Sequence, residues 1–440
     1  MSDHLWHEAA VVGRRGLLGG AAALAAALAL PAPAATALAA GPPRLKLPVP
    51  TGPHDVGTIA LHLVDRGRRD PWKAARPREL MISVWYPAAR GAGGRHRPVP
   101  WMTTRALARY RTMTAEGLRR TAERLDLGGV DISLDGVGFP LTHAREGVQV
   151  RAGRRCPVVL YSPGAGEPRA VGTTLVEDLA SRGYVVVTID HTHDAWAVEF
   201  PGGRVERDLQ PLDRNGAQTA VKVRVADTRF VLDALAALAA GRNPDAAKRA
   251  LPAGLAGCLD MDRIGMFGHS LGGATTGQSM AHDARIRAGL DLDGHVIPTV
   301  SIAPPMPPER AGELAGQVAT RIGDRPFMIM SSAGKGPDEL GALMAGFWSH
   351  LRGRRWFLSL KGSTHASYTD DKQLIHQLAA AKVIPAALTE PVGTIAPGRC
   401  TAAQRAYVAA FFDRCLRERD APLLDGPSAK YPEIVFFPST

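Results

Sequence analysis

Three short segments carry the residue types needed for acyl chemistry. The first, Phe267-Gly268-His269-Ser270-Leu271-Gly272-Gly273, contains a G-x-S-x-G pattern. A chain with 47 glycines in 440 residues can produce that pattern by composition, so its surroundings must decide. An apolar run over 262–270 ends in Ser270, and a small-residue helical pattern occupies 271–282. Strand, tight turn and helix in that order are the setting of a nucleophile elbow. Gly268 and Gly272 keep β-carbons out of the bend, and the helix aims its first amides at a developing oxyanion.

A serine hydroxyl becomes a nucleophile only when a base takes its proton and a third group orients that base. In this setting the chain order is serine, acid, histidine. His365, in Lys361-Gly362-Ser363-Thr364-His365, directly follows the last apolar strand pattern. His350 and His376 fall on helical patterns, His282 ends one, and His295 opens a proline-rich stretch. His191 and His193 follow an earlier strand and precede Ser270; with Asp194 they lack a third ligand at recognisable spacing, so no metal is expected. For the acid, Leu290-Asp291-Leu292-Asp293-Gly294 offers two carboxylates on one face of an extended strand. Asp293 is favoured because it sits where the strand gives way to loop, with Asp291 one pleat deeper. The oxyanion donors are expected to be the main-chain amide of Leu271 and that of Ala165 in Ser162-Pro163-Gly164-Ala165-Gly166, with Gly164 as the alternative.

These segments need a scaffold. Runs over 56–65 and 78–87 read as an opening antiparallel pair. Residues 88–150, with a helical pattern over 102–125, read as a cap-like insertion beside the sheet. From Cys156 the chain alternates: strands at 157–164, 185–190, 262–270, 286–294, 325–333 and 354–362, and helices at 173–184, 217–241, 271–282 and 338–352. Near-continuous apolar strands between helices imply a mostly parallel sheet covered on both faces, an α/β architecture. Residues 294–324 read as a long connection, 371–383 and 401–418 as closing helices, and Pro432-Glu433-Ile434-Val435-Phe436-Phe437 as a docked tail.

The first 39 residues stand apart. Arg14-Arg15 precede an apolar, alanine-rich run that ends in Ala37-Leu38-Ala39, the form of a secretory signal suited to the twin-arginine route. Secretion with removal of 1–39 is therefore expected, leaving one domain over 40–440. The net charge of +11 survives removal, because Arg14 and Arg15 are offset by Asp3 and Glu8. That excess is scattered arginine without aromatic interleaving, which argues against a nucleic-acid partner. Four cysteines in an exported chain suggest disulfides. Cys400 and Cys415 flank one helical pattern and could clamp its ends, while Cys156 and Cys258 each precede an apolar strand; three connectivities are open.

Tyr161-Ser162-Pro163-Gly164-Ala165-Gly166, the helix and strand through His191, Gly268–Gly273, Leu290–Pro298 and Gly362–Asp370 together resemble the secreted platelet-activating factor acetylhydrolases and related bacterial esterases and lipases. The resemblance spans about 55–437 and rests mainly on Leu292-Asp293-Gly294-His295-Val296-Ile297-Pro298 and the Gly362–His365 segment. It implies an α/β-hydrolase fold with Ser270, Asp293 and His365 as catalytic residues, Ala165 and Leu271 as oxyanion donors, and no cofactor. It also makes the strands after Cys156 and Cys258 neighbours, which favours Cys156–Cys258 and Cys400–Cys415 bridges. Pro163 stands where the family usually has histidine, and His295 where it often has an aromatic.

The expected function is a secreted serine ester hydrolase acting on short acyl esters, including sn-2 acetyl or short-acyl phospholipids, with at most transient contact with a lipid surface and no obligate protein partner. Triglyceride lipase, polyester hydrolase and acyltransferase are the alternatives that use the same residues. A non-catalytic lipid-binding protein would have no need of all three.

Overall fold

The computed structural model describes residues 43–91, 94, 96–153, 155–209, 214–294, 307–332 and 334–437. The expected signal segment 1–39 lies outside these residues, as do His295 and residues 296–306 of the proline-rich connection.

The chain opens with β1 (Val56–Arg69) and β2 (Pro77–Pro87), paired antiparallel from Val56↔Pro87 to Asp65↔Arg78. Within 88–150 lie β3 (Pro98–Pro100), α1 (Thr104–Arg124) and β4 (Leu141–Glu146). This segment is more than a neighbour of the sheet: β4 runs parallel to β1 and pairs with β3, extending the edge. A three-residue strand with two prolines carries no readable alternation, and prolines are tolerated at that edge position.

Next come β5 (Cys156–Ser162), α2 (Thr173–Ser181), β6 (Val185–Asp190), a separate hairpin of β7 (Ala197–Glu199) and β8 (Val205–Arg207), and α3 (Arg214–Ala239). A short α4 (Leu255–Cys258) leads into β9 (Leu259–His269), α5 (Leu271–His282) and β10 (Ile286–Leu292). The chain closes with α6 (Pro308–Ile322), β11 (Phe327–Ser331), α7 (Ala342–His350), β12 (Arg355–Leu360), α8 (Asp371–Ala380), α9 (Pro397–Arg417) and β13 (Ile434–Phe437). The main sheet runs β13-β12-β11-β10-β9-β5-β6-β2-β1-β4-β3. From β12 to β6 all neighbours are parallel; the tail strand β13 and the opening strand β2 join antiparallel.

Alternation sends successive side chains to opposite faces. Val158 and Leu160 of β5 join Ile264 and Met266 of β9 in a core with Val231, Leu232 and Leu235 of α3 and Ala315 and Ala319 of α6. Val159, Tyr161 and Phe267 face the other way, against Leu175, Val176 and Leu179 of α2 and Tyr407, Phe411 and Phe412 of α9. Full burial of each such side chain contributes roughly 1.5–3 kcal/mol. A third core holds the insertion: Trp101, Tyr110 and Leu118 pack with Leu374, Ile375 and Leu378 of α8. There Asp370 joins three segments, accepting from Trp101 Nε1 at 2.8 Å and from the Thr173 and Thr174 amides that open α2, each at 3.1 Å.

Two expectations are corrected here. Much of the supposed connection at 294–324 is α6, which buries Ala311, Ala315, Ala319 and Ile322; Pro308 occupies its first turn, where no amide donor is required. No disulfide joins Cys156, Cys258, Cys400 or Cys415. Cys400 and Cys415 both lie inside α9 and stand about 22 Å apart at 1.5 Å per residue, far beyond the reach of one disulfide. Cys156 and Cys258 are neighbours, as the pairing of Cys156 with Leu259 requires, and their thiols hydrogen-bond without being joined.

Candidate active site

Ser270 lies between β9 and α5 with φ 55° and ψ −122°. A positive φ at a residue with a β-carbon costs on the order of 1–3 kcal/mol and persists only where its surroundings impose it. The Ser270 amide donates to Leu292 O of neighbouring β10 at 2.9 Å. A β-carbon on Gly268 would come 2.2 Å from the Gly272 carbonyl carbon, and one on Gly272 would come 1.9 Å from Ser162 O. The small residues are therefore a steric condition of the turn.

The parallel register sets His269 beside Leu292, so Ser270 and Asp293 leave adjacent strands at one sheet end. The Asp293 amide donates to Met330 O, and its φ is also 55°. His365 begins a one-turn helix after β12, closed by reciprocal bonds between Thr364 and Ser367. Its Nδ1–H donates to Asp293 Oδ2 at 2.7 Å. Ser332 completes the carboxylate's shell, with its amide on Oδ1 at 2.6 Å and its hydroxyl on Oδ2 at 2.9 Å. Burial alone would push the Asp293 carboxyl up, but the His365 bond and charge, with the Ser332 bonds, hold it down at about 2.

Asp291 meets different surroundings. It accepts from the Gly294 amide at 2.8 Å, and its Oδ2 has no partner among the described residues. Burial, with the Asp293 charge nearby, pushes it up to about 8. Two carboxyls two residues apart at the end of β10 thus take opposite protonation states at neutral pH, and the histidine bonds the ionised one.

Ala165 and Leu271, from the β5 loop and the first turn of α5, meet in a small apolar cluster with Ala220, Val221 and Ala274. Neither amide donates to another protein group among the described residues. Residues that the sequence did not single out surround them. Glu167 Oε2 accepts from the Gly164 amide at 2.7 Å and lies 3.2 Å from His269 Nδ1; His269 Nε2 lies 2.9 Å from the His365 carbonyl. Burial would raise the Glu167 carboxyl, but His269 and the Gly164 amide hold it below the usual range. His269 is the variable position of the G-x-S-x-G pattern and Glu167 follows the glycine-rich loop, so the adjacency of each to its motif was the available signal.

His191 also has a defined place. Its Nε2 lies 3.0 Å from Ser162 Oγ and its Nδ1 3.1 Å from Asp227 Oδ2, forming a second serine–histidine–aspartate series. All three are buried, and Asp227 is bound by the fully buried Arg78 at 2.7 Å. No surface reaches Ser162, so this series ties β5, β6 and α3 together. Both His191 ring nitrogens are thereby taken by protein partners, and among the described residues no three potential ligands form a metal cluster.

A sequence model of the family described as platelet-activating factor acetylhydrolase, isoform II, matches residues 40–417. The chain belongs to this family. A probable 1-alkyl-2-acetylglycerophosphocholine esterase of Arthroderma benhamiae is 28% identical over 411 residues, covering 90% of this chain and 94% of its own. The platelet-activating factor acetylhydrolase of Bos taurus is 25% identical over 251 residues, about half of each chain (53% and 52%). The solved structure of a ferulic acid esterase from Streptomyces cinnamoneus matches with a TM-score of 0.64 and 32% identity, over 90% of this chain and 99% of that one. Membership in the platelet-activating factor acetylhydrolase family and this structural likeness establish a carboxylic ester hydrolase with the α/β-hydrolase fold.

Proposed function

We propose that the protein is a secreted serine esterase in which Ser270, His365 and Asp293 form the catalytic triad. The observation carrying this reading is the His365–Asp293 bond at 2.7 Å, set at the same sheet end as a serine held at φ 55° on an elbow. His365 Nδ1–H is committed to Asp293, which leaves Nε2 as the base for the Ser270 hydroxyl. With its side chain 41% exposed, the imidazole is open to substrate. Ser270 Oγ attacks the ester carbonyl as its proton moves to His365 Nε2, and Asp293 stabilises the imidazolium. The Ala165 and Leu271 amides receive the oxyanion, and the alcohol leaves with the proton from His365. Water, deprotonated by the same nitrogen, then releases the acid.

The substrates proposed are short acyl esters, including 2-acetyl glycerophospholipids, a class supported by the Arthroderma relative that aligns along nearly its whole length. The Streptomyces likeness favours a second reading, hydroxycinnamoyl esters such as feruloyl groups. Secretion is supported by the twin arginines and the small-residue site ending at Ala39.

The test is covalent labelling with diethyl p-nitrophenyl phosphate followed by peptide mapping, then hydrolysis of p-nitrophenyl esters of two to sixteen carbons, a 2-acetyl phospholipid and methyl ferulate. Labelling confined to Ser270 and loss of turnover in Ser270→Ala are expected. Labelling of another serine would overturn the triad.

A further inference from the structure

The peptide unit between Gly164 and Ala165 is gripped from behind by a buried ion pair. Arg224 of α3 donates through Nη2 to Gly164 O at 2.8 Å and through Nη1 to Pro163 O at 2.5 Å. Its Nε and Nη2 also bond the two Asp194 oxygens, each at 2.7 Å, in a bidentate pair. Asp194 Oδ1 accepts the Gly166 amide at 3.0 Å, the Gly164 amide goes to Glu167, and Gly166 O receives the Trp196 amide at 2.6 Å. Arg224 is 1% exposed and Asp194 3%. The main-chain polar groups flanking Ala165 are thus engaged, while its own amide is directed to no protein acceptor among the described residues.

Peptide geometry gives this arrangement a consequence. Gly164 C=O and Ala165 N–H belong to one planar trans unit and point in opposite directions. Fixing the carbonyl on Arg224 therefore aims the amide away from α3. A cation on the carbonyl also polarises the unit and strengthens its N–H as a donor. Pro163, having no amide hydrogen, offers no competing donor at this bend.

We infer that Arg224, held by Asp194, is a positioning residue that aims and polarises the Ala165 amide as an oxyanion donor. The inference rests on the proposed triad reaction but concerns a residue that does not touch substrate. Its loss is then felt where negative charge develops on the carbonyl oxygen and hardly at all in substrate binding. Removing an oxyanion donor costs about 10²–10³ in kcat, and a misaimed donor should approach the lower end.

The experiment uses the full chain. Arg224→Gln and Arg224→Lys are assayed on p-nitrophenyl acetate beside inhibition by a trifluoromethyl ketone, which forms a tetrahedral oxyanion adduct, with folding followed by circular dichroism. Arg224→Gln is expected to lower kcat roughly 30–300-fold and raise the ketone Ki by a similar factor, with KM within threefold. Arg224→Lys keeps the charge but loses the fork, and serves where the glutamine variant does not fold; it should lower kcat at least about fivefold with the same split. A folded variant with wild-type kcat and Ki, or one in which kcat falls while the ketone Ki stays put, overturns the inference. Organophosphate labelling of wild-type Ser270 is run alongside: failure there sinks the triad reading, whereas labelled Ser270 with indifferent Arg224 variants sinks only this proposal.

Discussion

Asp291 lies directly beneath Gly273: a β-carbon at that glycine would stand 1.8 Å from the carboxylate Oδ1. The first turn of α5, directly after Ser270, therefore rests on a carboxyl group of the neighbouring strand. Gly273→Ala should force α5 away from the sheet, costing about 1–3 kcal/mol as an overpacked core site does. It should also displace the Leu271 amide, lowering kcat at least tenfold. Gly257→Ala, which meets open space, is the control and should leave both Tm and turnover near wild type. Equal behaviour of the two variants in thermal melts would refute the steric account.

The two aspartates should separate cleanly in kinetics. Asp293→Asn leaves His365 Nδ1 facing an amide that can favour the wrong tautomer, and kcat should fall by about 10³–10⁴. Asp291→Asn replaces a group that is protonated at neutral pH with a neutral one of the same shape, and kcat should stay within about threefold. The reverse pattern would move the acid to Asp291.

Their opposed titrations predict opposite effects on stability. The Asp291 carboxyl, raised in the folded state to about 8, contributes stability that is complete below its unfolded value near 3.9 and is lost as pH climbs through 8. Asp291→Asn should therefore gain Tm relative to wild type between pH 5 and 9, with the gap widening as pH rises. Asp293, lowered to about 2, contributes stability present above pH 4 and lost as pH falls towards 2. Melting curves of both variants across pH 3–9 would check each sign.

Cys400 and Cys415 should never be recovered as a linked pair. Peptide mapping after unfolding without reductant should find both alkylated singly. A linked pair would require α9 to be broken.

The scaffold was largely readable because its strands are buried on both faces and its helices keep a 3.6-residue rhythm. The Ser270 turn was legible for a local reason: glycine spacing reports crowding within a few residues. Asp293 and His365 were singled out by their positions at strand ends, and the structure brings the two side chains together at 2.7 Å. The partners of Asp194, Arg224 and Ser332 were not legible, since an isolated charge or hydroxyl has no periodicity and its partner is set by the sheet. The same limit explains the cysteines. Flanking a helical pattern looked like an opportunity to clamp it, but a continuous helix holds its two ends apart.

Asp370 also bears on how this scaffold can be recombined. It holds the indole of Trp101, at the start of the insertion, and the first amides of α2, five residues beyond His365. A chimaera that imports another relative's segment in place of residues 98–140 must bring a donor to that carboxylate. Without one, the graft leaves the buried Asp370 side chain with only the Thr173 and Thr174 amides, in the segment that carries His365. Compatibility at this single seam, rather than overall similarity, should decide which grafts remain active.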